Sequence, residues 1–265
     1  MIGSRKIVGI LGYGGFLGST IYKVFRESEG LEVYGIDRNN WKEYSSFNFD
    51  YFIDADGNSS KFVATKNMSL DFEQNALSEA KVLDSFSFDK IILISTIDVY
   101  NDKSMQQNNS EDSAIDPLIL SNYGFSKYVR ELLVRRHAKK WLILRLGGLI
   151  GDGLKKGPVY DVLNHSMLYV SKESKFQFIN TTSVANIILQ LLPESHGNQV
   201  FNIAGRGQIS MIEFASLAGK IISRDGDILE DINISVEKIS QIVKLPRTRD
   251  EVMRFLGGNN KNEFK

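Results

Sequence analysis

The stretch that most constrains this chain runs from Lys6 to Asp37. An apolar run, Ile7-Val8-Gly9-Ile10-Leu11, leads into a glycine cluster, Gly12-Tyr13-Gly14-Gly15-Phe16-Leu17-Gly18. Leu17, Ile21, Val24 and Phe25 then recur at helical spacing. A second apolar run, Val33-Tyr34-Gly35-Ile36, stops on Asp37. The order reads strand, tight turn, helix, strand, acid, which is the order a dinucleotide site needs. One glycine permits the sharp turn off the strand, a second lets the backbone approach a pyrophosphate, and a third lets helix and strand pack closely. The helix N-terminus faces the phosphates with unpaired N–H groups and a positive dipole end. Asp37 follows Gly18 by 19 residues, where a carboxylate can accept from adenosine ribose hydroxyls. The plainer reading, glycines that serve only an ordinary turn, leaves that acid unexplained.

Composition narrows the classes. The 265 residues are 42% hydrophobic and 24% charged, enough for one α/β core plus a small second lobe. Net charge is zero and no long basic run exists, so no nucleic-acid partner is expected. The absence of cysteine excludes disulfides, thiolate metal sites and cysteine nucleophiles. His137, His165 and His196 stand at no ligand spacing, so each reads as surface or ordinary packing and no metal is expected. The first strand begins almost at residue 1, leaving no room for a signal peptide, and no apolar run reaches membrane-spanning length. The expectation is a cytoplasmic protein without a membrane partner.

Further along, strands and helices alternate. Tyr51-Phe52-Ile53 reads as a strand ending in Asp54-Ala55-Asp56-Gly57, and 39–48 as a loop or short helix. Helical spacing returns from Ser69 to Phe86. Ile91 to Ile94 is a continuous apolar run, as in a parallel strand covered on both faces, and ends in Ser95-Thr96. The polar segment Asn101 to Ser113 reads as a mobile loop. A helix is predicted from Asn122 to Ala138, a strand from Trp141 to Leu144, then strands at 176–179 and 200–203 with a helix at 184–192 between them. Ser210 with Glu213 and Thr248 with Glu251 read as capping boxes, and Gly257-Gly258 as the end of the last helix. The pattern predicts a doubly wound parallel α/β sheet over 1–151 and 177–205, with a small substrate lobe from 152–176 and 206–265.

Tyr123 and Lys127 lie four apart on a predicted helix and so share a face. A tyrosine hydroxyl with a pKa near ~10 is a poor acid or base at neutral pH. A nearby ammonium favours the phenolate, so the pair is a candidate proton shuttle. Of the ten tyrosines only Tyr123 has lysine four residues on. Ser95 and Thr96 stand at the carboxyl end of a central strand, where open α/β sheets bind ligands.

These pieces together resemble the extended short-chain dehydrogenase/reductases of the NAD-dependent epimerase/dehydratase family. The matching residues are Gly12-x-x-Gly15-x-x-Gly18, Asp37, Asn75, Ser95 to Tyr100, Tyr123 to Lys127, Arg145 to Gly151, Phe178 to Ala185 and Phe201 to Gly205. The resemblance implies a Rossmann domain and a catalytic set of Thr96, Tyr123 and Lys127. It also implies cofactor contacts from Gly12, Gly15, Phe16, Leu17, Gly18, Asp37, Arg38, Asp54, Ala55 and Lys127. Departures stand out. Asp54-Ala55-Asp56-Gly57 replaces a His-Leu-Ala-Ala-like sequence, with Asp56 placing an unexpected carboxylate near the cofactor. Gly148 stands where many sugar-nucleotide enzymes have asparagine. Ile97-Asp98 replaces the Asp-Glu of the sugar dehydratases, so that elimination lacks its acid.

The implied activity is NAD-dependent oxidation and reduction of a sugar, nucleotide-linked by the resemblance, as an epimerase or a keto-sugar reductase. NADP is the less favoured cofactor, because Asp37 repels a 2′-phosphate although Arg38 follows it. The rival reading is a dinucleotide-binding redox sensor without turnover. The helices 69–86 and 122–138 are expected to pair across a two-fold axis, as in family members, giving a homodimer.

Overall fold

The computed structural model describes residues 5–193 and 197–259; His196 and the tail at 260–265 lie outside the described residues. The chain divides into two compact units. The first comprises 1–101, 114–146 and 184–201, the second 102–113, 147–183 and 202–265. Of the residues that the sequence pattern groups as 1–151 and 177–205, the segments 102–113, 147–151, 177–183 and 202–205 fall in the second unit.

Unit 1 begins β1 (Lys6–Leu11), α1 (Phe16–Arg26), β2 (Leu31–Ile36), α2 (Trp41–Tyr44) and β3 (Asn48–Asp54). Next come α3 (Lys61–Lys66), α4 (Met68–Phe72), a π-helical turn at Glu73–Leu77, and α5 (Ser78–Ser85). The single helix expected from 69 to 86 is thus α4 and α5 joined through one widened turn. After β4 (Ser87–Thr96) follow α6 (Asn122–His137) and β5 (Trp141–Leu146). Strand order is β2-β1-β3-β4-β5, with β10 (Gln199–Ile203) on the far edge, and the ladders from β2 through β5 are parallel. The chain leaves β1 toward β2 and returns on its other side to β3. The crevice beyond Leu11 and its register partner Asp54 is therefore the topological switch point, where ligands of open α/β sheets bind.

Aromatic and aliphatic side chains bury the sheet. Phe49, Phe52, Phe86, Ile91, Leu93, Val134 and Ile143 form one continuous cluster. Ile91, Ile92 and Leu93 are all buried, which explains why β4 reads as an unbroken apolar run. Lys90, one residue earlier, is also buried, and its ammonium donates to the carbonyls of Leu191, Leu192 and Pro193. These are orphan acceptors at the end of α8 (Thr181–Leu191).

Unit 2 holds β6 (Gly148–Ile150), α7 (Pro158–Leu163), β7 (Leu168–Val170), β8 (Lys175–Phe176) and β9 (Phe178–Asn180). It continues with β11 (Ile209–Ser210), α9 (Met211–Leu217), β12 (Asp225–Ile228), α10 (Glu237–Ser240) and α11 (Thr248–Asn259). Ile150, Val159, Phe178, Met211, Phe214, Val252 and Phe255 make its core. Ser210 caps α9 by accepting from the Glu213 N–H, as its box predicts. The second box does not form. Thr248 Oγ1 accepts from Phe178 N–H and donates to the Gly207 carbonyl, while Glu251 accepts from Asn180 N–H. Nor do Gly257 and Gly258 end α11, which runs through both. The segment 102–113 is pinned, contrary to its reading as a mobile loop. Asn109 is fully buried, accepts from Ser235 N–H and from the Asn202 amide, and donates to the Asn233 carbonyl.

Candidate active site

The glycine turn follows from close approaches. Gly12 has φ +78°, and a side chain there would press on the backbone of Ala55 and Asp56. A Cβ at Gly18 would overlap the Gly12 carbonyl and stand 2.8 Å from its carbon, so the first turn of α1 can lie on the loop only without one. A Cβ at Gly15 would meet only the Gly12 carbonyl oxygen, and at Gly14 nothing at all within 4 Å, so these two present bare backbone outward. Of the neighbouring residues expected at a cofactor, Leu17 is committed to the core, Phe16 opens α1, and Ala55 donates its N–H to the Leu11 carbonyl. Asp37 leaves the end of β2 with Oδ1 accepting from Asn39 N–H, and Arg38 beside it is exposed.

Thr96, Tyr123 and Lys127 meet at the carboxyl end of β4. Ser121 caps α6 by accepting from Gly124 N–H. A Cβ at Gly124 would overlap the Asp98 carbonyl, so glycine lets the start of α6 settle on the 3₁₀ turn Ile97–Val99. That contact brings the buried Tyr123 hydroxyl within hydrogen-bonding reach of Thr96. Thr96 Oγ1 donates to Asp98 Oδ2 at 3.2 Å, and Asp98 pairs with Lys61 at 2.7 Å. Ser95 turns the other way and donates to the buried Glu131, which also holds Arg145 at 2.7 Å. The two neighbouring hydroxyls thereby have different partners, and Thr96, the one that the family resemblance selects, is the one on the Tyr123 side.

The electrostatics differ from the expected tyrosine/lysine pair. Burial, and then the Asp98 carboxylate, push the Tyr123 phenol above its ordinary value. Burial, and then the like charge of Arg130, pull Lys127 down to about 7. The Lys127 ammonium has no hydrogen bond or ion pair among the described residues; its ring contact is with Tyr123, 5.8 Å from the centroid.

Behind these groups lies a buried charge cluster that the sequence does not announce. Arg130 donates through Nη2 to Asp54 at 2.7 Å, through Nε to Glu79 at 2.8 Å and through Nη1 to the Asp56 carbonyl at 2.7 Å. Asp71 accepts from the amides of Asn58 and Asn75. Asp54, Asp71, Asn75 and Glu79 are all fully buried. Burial, and then the Asp54 carboxylate, hold Glu79 well above the usual carboxylate range. The Asp54 carboxylate, expected at the cofactor, is spent on Arg130 instead, because a guanidinium buried beside it needs a counter-charge. Asp56 contributes its carbonyl to the cluster, and Gly57 is required because a Cβ there would crowd Asn75 and Arg130. The one advance signal was Arg130 itself, three residues after Lys127 and therefore on the same helical face.

Within unit 2, a cleft of about 590 Å³ is lined by Gln106, Gln177, Arg206, Glu237, Ser240 and Gln241. Gln177 is buried and fully used: it accepts from Ile234 N–H and donates to the carbonyls of Gly205 and Ile234. Among the described residues no group of acidic or histidine side chains could hold a metal ion, and no helix is long and apolar enough to cross a membrane.

A glycine turn at a switch point, an acid after β2 and a Tyr-x-x-x-Lys helix beside a strand-end threonine define the class of dinucleotide-binding Rossmann-type α/β proteins. The model of the NAD dependent epimerase/dehydratase family matches residues 8–204, and the chain belongs to that family. Comparison with curated proteins returned no significant match. Among solved structures, UDP-glucuronic acid 4-epimerase from Bacillus cereus, in complex with UDP-glucuronic acid and NAD, aligns with a TM-score of 0.80 at 16% identity, covering 95% of this chain and 98% of that one. UDP-glucose 4-epimerase from Thermotoga maritima with UDP-glucose gives 0.79 at 16% identity, covering 97% and 99%. A dTDP-4-dehydrorhamnose reductase from Bacillus anthracis with NADP gives 0.79 at 18%, covering 95% and 97%. At these identities the likeness is one of fold.

Proposed function

We propose that the chain is an NAD-dependent oxidoreductase of the sugar epimerase or keto-sugar reductase type, acting on a nucleotide-linked sugar. The observation that carries this reading is the convergence of Thr96, Tyr123 and Lys127 at the end of β4. The residues fit a dinucleotide. Gly14 and Gly15 offer bare backbone at the N-terminus of α1, where a pyrophosphate would lie. The Lys127 ammonium, with no hydrogen bond or ion pair among the described residues, suits the nicotinamide ribose. Asp37 keeps Oδ2 for the adenosine ribose, favouring NAD over NADP. Membership of an NAD-dependent family and neighbours solved with NAD support the same choice.

Bound NAD would accept and return hydride at the sugar's carbinol carbon. Tyr123 exchanges the proton of the carbinol oxygen. Its raised pKa makes it a proton holder at rest, so proton uptake requires added positive charge beside it. Lys127 supplies that charge when protonated. Thr96 turns its hydroxyl from Asp98 to the substrate oxygen and orients it. The protein is proposed to work as a homodimer in the cytoplasm.

Tyr123→Phe tests the assignment. NAD affinity, measured by calorimetry, should be retained. Turnover of UDP-glucose or UDP-glucuronic acid should fall by ~10²–10⁴-fold, the usual contribution of a general acid–base group. Near-wild-type turnover in that variant would sink the catalytic role. NADP binding tighter than NAD would sink the cofactor choice. A sensor without turnover would show no hydride exchange into bound cofactor.

A further inference from the structure

We propose that Arg130 is a positioning residue that keeps Lys127 available to the cofactor, by occupying buried carboxylates that would otherwise capture the lysine. The inference rests on the reading of Lys127 as a cofactor ligand. Lys127 and Arg130 are three apart on α6 and share a face. Asp54 at the end of β3, Asp71 on α4 and Glu79 on α5 all lie close enough to act on the Lys127 charge, as do Arg130 and, through its ring, Tyr123 on its own helix. A buried ammonium beside three carboxyl groups ordinarily pairs with one of them. Lys127 does not, and the geometry shows why.

The guanidinium fork commits each nitrogen in a fixed direction: Nη2 to Asp54, Nε to Glu79, Nη1 to the Asp56 carbonyl. Asp71 takes two amide donors on Oδ1, but its Oδ2 is buried without a hydrogen-bond partner among the described residues, so the carboxyl groups that Arg130 occupies are Asp54 and Glu79. Burial and the neighbouring Asp54 carboxylate hold Glu79 well above the usual carboxylate range, and Glu79 Oε1 and Asp54 Oδ2 are buried without a hydrogen-bond partner among the described residues. Arg130 thus neutralises Asp54, and its like charge discourages Lys127 from moving toward the same carboxylate. Three of its contacts end on residues 54–56 and 79, so the arginine also ties the turn beneath Gly12 to the helix that bears Lys127.

The prediction has an unusual sign. On charge alone, removing Arg130 makes Lys127 more fully protonated and should tighten binding of an anionic cofactor. Capture predicts the reverse: Lys127 becomes more basic and the cofactor binds more weakly. The test uses NAD calorimetry together with NMR of lysine labelled at Cε, the Lys127 resonance being the one lost in Lys127→Met. In Arg130→Met the Lys127 resonance should titrate higher by about one pH unit or more, and NAD should bind about tenfold more weakly. Adding Asp54→Asn, which keeps the acceptor for Asp56 N–H but removes the captor, should restore NAD affinity and lower the Lys127 titration again. NAD affinity unchanged or tighter in Arg130→Met, or no recovery in the double variant, overturns the proposal. If Arg130→Met does not fold, Arg130→Lys replaces it: one ammonium cannot satisfy both carboxyl groups, so a smaller change of the same signs is expected, and no change overturns it. If the wild type fails to bind NAD, the functional reading falls, while capture is still tested by whether Asp54→Asn lowers the Lys127 titration further in the Arg130→Met background than in the wild type; an equal effect in both overturns it.

Discussion

Glycines of the cofactor turn are not equivalent, and substitution should rank them. Gly18→Ala places a methyl group against the backbone of Gly12, which cannot move without opening the turn. A loss of about 1–3 kcal/mol is expected for such overpacking, with loss of NAD binding. Gly14→Ala meets nothing within 4 Å and has no left-handed φ, so stability should hold or rise by about 0.4–1 kcal/mol through the unfolded chain. Denaturant melts of the two variants check both. Lys127 imposes a pH signature. Its folded pKa of about 7 lies below its ordinary value of 10.5, so between these the unfolded chain binds more protons. Stability therefore rises with pH across that window, and the burden of the charged lysine is complete below 7. The difference in unfolding free energy between wild type and Lys127→Met should be flat below pH 7 and move in favour of wild type from 7 to 9.5. Tyr123, raised above its ordinary 10.0, adds an opposite trend only beyond that range. A flat difference throughout would show that Lys127 is not depressed.

Elements whose identity depends on local sequence were read correctly: β1, α1 and β2, the buried run of β4, and α6 with its Tyr-x-x-x-Lys face. Those decided by distant partners were not. Thr248 looks like a helix cap until Phe178 and Gly207 claim its hydroxyl. Residues 102–113 look mobile because nothing in their sequence reveals that Asn109 meets Asn202, Asn233 and Ser235. Lys90 is a further case, a buried charge at the start of the apolar run whose partners lie about a hundred residues on. Its three carbonyl partners terminate α8, so Lys90→Met should cost about 1–3 kcal/mol by leaving buried acceptors unpaired. Amides near the end of α8 should exchange faster in the variant, by hydrogen-exchange mass spectrometry. Unchanged exchange and stability would show the contacts to be incidental.

At the scale of the molecule, the glycine turn and the grouping of Thr96, Tyr123 and Lys127 were legible because each rests on short motifs. The Asp54–Arg130–Glu79 cluster was not, since its members are 51 or more residues apart in pairs with Arg130 and Asp54 reads as a cofactor contact. Assembly is the remaining large-scale consequence. Leu70 and Leu77, and Phe125 and Leu132, stay 37–49% exposed on the α4–α5 and α6 helices. Spacing of seven residues puts Phe125 and Leu132 on one stripe of α6, while the widened turn at Glu73–Leu77 carries Leu77 off the line of Leu70 and leaves both exposed. These apolar surfaces, presented to a second copy about a two-fold axis, would bury each other as a four-helix contact, so a symmetric dimer is expected. Light scattering at micromolar concentration should give twice the 29.9 kDa of the chain. Leu77→Asp with Leu132→Asp should reduce that mass to one copy, because an isologous interface meets each new carboxylate twice. Both positions are exposed, so the melting behaviour of the single chain should persist and separate loss of assembly from loss of fold. A wild-type mass of one copy would remove the dimer from the proposed function and leave the apolar surfaces to another role.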